Sequence, residues 1–406
     1  MRISTSTLFD VNVTSLNTQQ SKLLHTQQQL STGRRILTPA DDPTAAARAI
    51  QVAQADGTNT QYLSNIGTTN DAVSLSEGTL QGVTTLLQNI QTTAVQAGNP
   101  VLANSDRAAL ASTLQDNLNQ LIAMANSKDA VGNYLFSGFK GGTQPFVNTA
   151  TGVQYQGDDG QRLVQVGANR QLAASDSGAD IFMRIKNGNG TFTTTAAATN
   201  TGSGIASQGN VINPALLTGN NYQVTFTSAN TYSVFNTTLD PTMVGAPLSS
   251  GSYVSGQAIS FDGMQFSIQG APASGDKFTV APSANESVFT TISNLITTLN
   301  TPTIPGNSAS TAQLTAGVNL ALNGMDNALN SVLTTRASLG SRLNELDSLK
   351  TSGSDLGVQF KQTLSQLQDV DYNKAITDLT QQQTMLTAAQ KSFLQVQNLS
   401  MFNYMQ

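Results

Sequence analysis

At 406 residues the chain is longer than one ordinary apolar core can organise, and two or three domains are expected. Only 11% of the residues are charged, the net charge is −5, and no basic cluster exceeds Arg34–Arg35, which excludes a basic nucleic-acid-binding face. The absence of cysteine excludes disulfides and thiolate metal sites, and the longest apolar run, Leu121–Ala125, falls far short of a membrane span.

Residues 1–20 lack a charged segment followed by an apolar one, so a cleaved signal peptide is not expected. Leu16, Leu23, Leu30 and Leu37 then recur every seven residues, the spacing of a helix that winds about another helix. His25 lies within this run and reads as a solvated or lightly packed helix residue, since a lone histidine has no partner for acid–base or metal work. The helix is expected to reach about Leu37 and to stop at Thr38–Pro43, because residues before proline disfavour helix. Asp42 and Pro43 read as the N-cap and first residue of a second, longer helix. Val73, Ser76, Leu80, Val83, Leu87, Ile90 and Ala94 form its apolar stripe, spaced by threes and fours. Asn99-Pro100 ends it, and Asn104 or Ser105 is expected to cap a third helix carrying Leu110, Leu114, Leu118, Leu121 and Ala125 on one face. A short loop between the two implies an antiparallel pair.

From Tyr134 the pattern becomes strand-like. Tyr134–Phe139 and Tyr155–Gly160 read as strand edges and a tight turn, and Arg162–Val166 as a strand. Between 186 and 285 Thr, Ser, Asn and Gly dominate and apolar residues alternate. Tyr222, Val224 and Phe226 share one face, and Met264, Phe266 and Ile268 another. Asp262-Gly263 signals a hairpin between Ile259/Phe261 and the latter trio, and Phe278 and Val280 supply a further strand. The Thr/Ala/Asn-rich stretch 191–210 reads as a mobile loop.

Helix resumes near Ser287, with Val288, Ile292, Leu295 and Leu299 in phase. A long helix follows, holding Leu322, Met325, Leu329, Val332, Arg336, Leu339, Leu343 and Leu346, and Thr351–Ser354 is expected to weaken it. A second seven-residue seam closes the chain: Tyr372, Leu379, Leu386 and Phe393, with Ala375, Ala389 and Val396 in partner positions. Phe402 and Tyr404 beyond it call for burial against a partner.

Neither seam can bury itself. Ordering a heptad costs at least ~7 kcal/mol of backbone entropy, whereas one or two buried side chains return about 2–5 kcal/mol. The ends therefore need each other and further copies. The reading is a multidomain α+β chain in three parts: a terminal α-helical coiled coil (1–40 with 355–406), an elongated helical rod with a small β-hairpin region (41–185 with 286–354), and an inserted β domain (186–285).

Catalytic chemistry finds no foothold. One histidine cannot make H-E-x-x-H, Asp41-Asp42 is accounted for by the cap before proline, and Asp158-Asp159-Gly160 lacks the alternating oxygens of a calcium loop. Gly188-Asn189-Gly190 lacks the third glycine of a nucleotide loop. No catalytic, cofactor or metal residue is assigned, and an enzyme is not expected.

Leu30-Ser31-Thr32-Gly33-Arg34-Arg35-Ile36, followed by Asp41-Asp42-Pro43, resembles the N-terminal segment of bacterial flagellins and their junction relatives. Asp369-Val370-Asp371-Tyr372 and Leu379-Thr380-Gln381-Gln382-Gln383 resemble the matching C-terminal segment. Met1–Thr5 and Leu399–Tyr404 are similar to the hook-associated, hook–filament junction members of this flagellin-like family rather than to flagellin. The resemblance covers 1–170 and about 286–406. It implies a secreted, non-enzymatic subunit exported unfolded by the flagellar type III apparatus and placed in a ring of like subunits. Its implied partners are the first hook-associated protein, flagellin, and a cytosolic export chaperone on the C-terminal segment. The terminal helices would form the inner tube, with the β domain outermost. The alternative is flagellin, the bulk filament subunit.

Overall fold

The computed structural model describes residues 5–398. The chain forms two compact units, Met1–Asn65 with Ser348–Gln406 and Ile66–Asp347.

The first unit contains α1 (Thr5–Thr32), the beginning of α2 (Pro43–Ala97), the end of α5 (Ser308–Gln368) and α6 (Tyr372–Asn398). Helix α1 ends five residues earlier than its heptads suggest, because Gly33 takes a left-handed φ of 70° that terminates the helix. Asp42 Oδ1 then accepts from the Ala45 amide at 3.0 Å, and Pro43 opens α2. Helix α5 runs unbroken through Thr351–Ser354, against the expected weakening. The reason is packing. Asn59 Nδ2 donates to the Gly353 carbonyl at 2.8 Å, and a Cβ on Gly353 would meet Leu63 at 2.8 Å, so the missing side chain lets α2 approach. The break comes instead at 369–371, where Asp371 Oδ1 accepts from the Asn373 and Lys374 amides and caps α6.

In the second unit, α2, α3 (Asn104–Ala125), α4 (Val288–Asn300) and α5 share one apolar core. The stripe from Val73 to Ala94 is buried throughout, as are Val288, Ile292, Leu295 and Leu299. The cap of α3 is Ala103, which makes no side-chain cap bond. Asn104 is occupied elsewhere: its Oδ1 accepts from the Thr303 amide and from Arg107 Nη2, tying the α2–α3 loop to the α4–α5 loop.

Two hairpins follow α3, β1 (Phe146–Thr149) with β2 (Gly152–Tyr155) and β3 (Leu163–Gly167) with β4 (Arg170–Ala173). Phe146 stacks edge-on against Phe182 and lies 5.3 Å from Phe289, sealing this region onto the bundle. The insertion leaves through β5 (Ile185–Lys186) and returns through β15 (Asn285–Glu286), which pair with each other.

Between them stand β6 (Phe192–Ala196), β7 (Ile205–Ala206), β8 (Asn210–Val211), β9 (Tyr222–Ser228), β10 (Thr231–Asn236), β11 (Ser249–Ser252), β12 (Ala258–Phe261), β13 (Met264–Gln269) and β14 (Lys277–Pro282). One antiparallel sheet runs β11-β10-β9-β14-β6; β12, β7 and β8 pair with β13. Their inward faces enclose a second core of Tyr222, Val224, Phe226, Met264, Phe266 and Phe278, among others. Asp262-Gly263, both at positive φ, turns β12 into β13. The stretch 191–210 is only partly a loop: β6 and β7 lie in it and β8 begins at its end, with 197–204 and 207–209 left as connections, and Thr193–Thr195 are good strand formers. Beside it, the buried Asp276 carboxylate accepts from the Thr201, Gly202 and Ala273 amides.

Candidate assembly interface

Helix α1 packs lengthwise on α6. The pair is antiparallel: Gly33 accepts from the Val370 amide near the start of α6, and Phe9 meets Phe393 near its end, ring centroids 5.3 Å apart. Leu16, Leu23, Leu30 and Leu37 from one segment and Leu379, Leu386 and Phe393 from the other are all half-buried. Tyr372 stands 54% exposed. Val396 falls within α6, but its side chain, like Phe402 and Tyr404, lies outside the described residues.

Among the described residues, the fully covered side chains along this pair are small. Thr26 is 6% exposed and Ala375 5%. Larger apolar groups face outward, including Val11, Leu24, Ile376 and Leu394. Exposed apolar side chains lined up along one helix pair are the kind of surface that marks an interaction site.

A clasp joins the segments that feed the two helices. Arg34 bridges Asp369 in an antiparallel pairing, the Arg35 amide donates to Gln368 at 2.6 Å, and Arg35 Nη2 reaches the Leu367 carbonyl at 2.9 Å. The Tyr372 hydroxyl sits 3.0 Å from the point a Cβ on Gly33 would occupy. Nothing in the periodicity announces this clasp; the non-helical Gly33 and Asp369–Asp371 were its signal.

His25 is half-exposed on α1, in keeping with its sequence reading. Its Nε2 lies 3.0 Å from Asp41 Oδ1, while Asp41 Oδ2 accepts from the Leu37 and Thr38 amides. Backbone donation, first from Thr38, holds the Asp41 carboxyl below its ordinary value, with His25 a smaller influence. Asp42 is lowered likewise, by the Ala45 amide above all. Both carboxylates thus serve the turn into α2. Asp158 accepts from the Phe139 and Gly160 amides and also shapes a turn. Among the described residues no group of His, Asp or Glu side chains is placed to hold a metal ion.

Residues 3–140 match the bacterial flagellin N-terminal helical region and 322–405 the bacterial flagellin C-terminal helical region. Flagellar hook-associated protein 3 of Salmonella typhimurium is 30% identical over 402 residues, covering 99% of each chain, and that of Escherichia coli K12 matches equally. The chain belongs to the flagellar hook-associated protein 3 family. It is a component of the bacterial flagellum. Solved relatives agree in fold: FlgL of Xanthomonas campestris is 31% identical with a TM-score of 0.72, covering 77% of this chain and 99% of its own. Hook-associated protein 3 of Legionella pneumophila is 35% identical, with a TM-score of 0.72 over 78% of this chain and 98% of its own. Residues 184–282 match the D2-like domain of flagellar hook-associated protein 1, a kinship of the β insertion that residue patterns did not expose.

Proposed function

We propose that the chain is a structural, non-enzymatic subunit of the hook–filament junction, polymerising through α1 and α6 and adapting hook to filament. The observation that carries this reading is the lengthwise α1–α6 pair whose apolar seam remains only half-buried. The family's kinship at both ends of the chain supports it, and the hook-associated type of β insertion favours the junction over bulk filament.

In this reading the terminal pair (1–40 with 355–406) enters the tube, the helical rod (41–185 with 286–354) stacks around it, and the β domain (186–285) points outward. The chain is secreted through the flagellar export apparatus. Like subunits, the first hook-associated protein and flagellin are its neighbours, and an export chaperone holds the C-terminal segment beforehand.

The test is Leu386→Asp or Leu379→Asp. A carboxylate forced into the covered seam costs several kcal/mol, so the variant is expected to stay out of the junction while the Ile66–Asp347 unit keeps its circular dichroism. A variant that builds a normal junction defeats the reading. Purified wild-type chain that grows long filaments unaided would instead make it a filament subunit.

A further inference from the structure

Where the β insertion meets the rod, β6, β7 and the N-terminal part of α5 border a cleft of about 650 Å³. Hydrogen bonds fix its walls. Gln313 donates to the Ala198 carbonyl at 2.9 Å, and Asn327 donates to the Lys186 and Gly188 carbonyls at 2.8 Å. Gln208 also donates to the Gly188 carbonyl, and the Thr194 hydroxyl donates to that of Ser207. A cleft braced in this way is preformed, so a ligand need not organise it.

Several polar groups in the lining have no partner. Thr193 is only 9% exposed, yet its hydroxyl makes no hydrogen bond among the described residues. A buried hydroxyl left so costs free energy unless a ligand or a water answers it. The Thr195 hydroxyl, two positions on along β6, and the Asn319 and Asn323 side-chain amides on α5 are also unpaired among the described residues. Asn319, Asn323 and Asp326 follow the spacing of one helix face and span roughly 10 Å of it. Asp326 Oδ1 accepts from Gln91 Nε2 at 2.7 Å, which steadies the carboxylate, and its Oδ2 has no partner among the described residues. Ala316, Gly317 and Leu320 add small apolar surface beside these groups.

The lining turns away most ligand classes. Among the described residues it contains no lysine, arginine or histidine to hold a phosphate or a carboxylate, and Asp326 repels both. It offers no aromatic ring on which a nucleobase could stack, and its amides and hydroxyls are costly to cover with a lipid tail. A sugar ring has the complementary pattern, with hydroxyls around the edge that donate and accept and C–H groups on its faces. We propose that the cleft binds a neutral oligosaccharide. Asp326, Asn323 and Asn319 take hydroxyls along one edge, Thr193 and Thr195 along the other, and Ala316 and Leu320 lie against the ring faces. The Asp326 carboxylate accepts from a sugar hydroxyl, while each asparagine accepts from one hydroxyl and donates to the next. The roughly 10 Å of helix face has room for two linked rings. Such binding goes beyond assembly and stands without it.

The test uses the purified full-length chain on an array of neutral oligosaccharides of differing linkage, printed beside their sialylated and sulfated counterparts. At least one neutral oligosaccharide is expected to retain the protein, and its acidic counterparts are not. Asn323→Ala and Asp326→Ala should each weaken that binding at least tenfold with unchanged circular dichroism. Ala316→Phe should abolish it by filling the cleft. Asn330→Ala, exposed on α5 outside the cleft, is the control and should bind as the wild type does. Failure of every neutral saccharide, equal retention by the acidic forms, or binding that survives Asn323→Ala overturns the proposal, as does an equal loss in the control. Spermidine that binds in titration calorimetry and is lost in Asp326→Ala, with no saccharide retained, would assign the cleft to a cation instead. Because the readout is taken on the monomer, none of these results depends on whether the chain enters the junction.

Discussion

The terminal helix pair and the central bundle are built from the same kind of amphipathic helix, yet they finish their cores differently. In the bundle, Leu80, Val83, Ile90, Leu295 and Met325 are wholly covered by their own chain. Along α1 and α6 the corresponding leucines remain half-exposed, and among the described residues the covered side chains are Thr26 and Ala375. A stripe met from several sides by other helices closes a core. A stripe met by one partner does not, and apolar surface remains exposed along it.

Hydrogen exchange on the dilute monomer should separate the two regions most widely. The Ile90 amide is expected to exchange at least a thousand-fold more slowly than those of Leu23 and Leu386, because helices lacking tertiary burial open at little cost. Strong protection at Leu23 and Leu386 would erase the contrast. Ile90→Ala should lower the stability of the bundle by about 2–5 kcal/mol in chemical denaturation. Leu23→Ala should change the monomer by less than about 0.5 kcal/mol yet lower incorporation into the flagellum. Equal losses in the two monomers would show that both cores are complete.

The clasp offers a finer probe. Gly33→Ala places a Cβ at left-handed φ beside the Tyr372 hydroxyl, and a loss of about 1–2 kcal/mol in clasp stability is expected. Amide exchange at Val370 should rise accordingly, with the bundle unaffected. The smallest effect is one of pH. Asp41 and Asp42 have folded values below the ordinary 3.8, so their contribution is present above that value. It should be lost as the pH falls below 3.8 and through the lower folded values, loosening the turn into α2 first. Circular dichroism of wild type against Asp41→Asn between neutral and acid pH checks the sign. A wild-type turn that tightens on acidification would contradict it.

Much of this architecture was legible before folding was considered. The stripe from Val73 to Ala94, the cap at Asp42-Pro43 and the turn at Asp262-Gly263 are short-range patterns, set by neighbours a few positions apart. The sites where reading and fold part company depend on distant residues. Gly353 stays helical because Asn59 and Leu63 come to it from α2; α1 stops at Thr32 where Gly33 meets Val370 and Tyr372; and Thr193–Thr195 become a strand because β14 is there to pair with them. Local sequence determined which segments are helix or strand and which face of each is apolar, since period and propensity act within a few residues. Only the tertiary structure decided where helices stop, which edges of the β sheet stay open and how far each apolar face is covered, because those outcomes belong to residues brought together from remote parts of the chain.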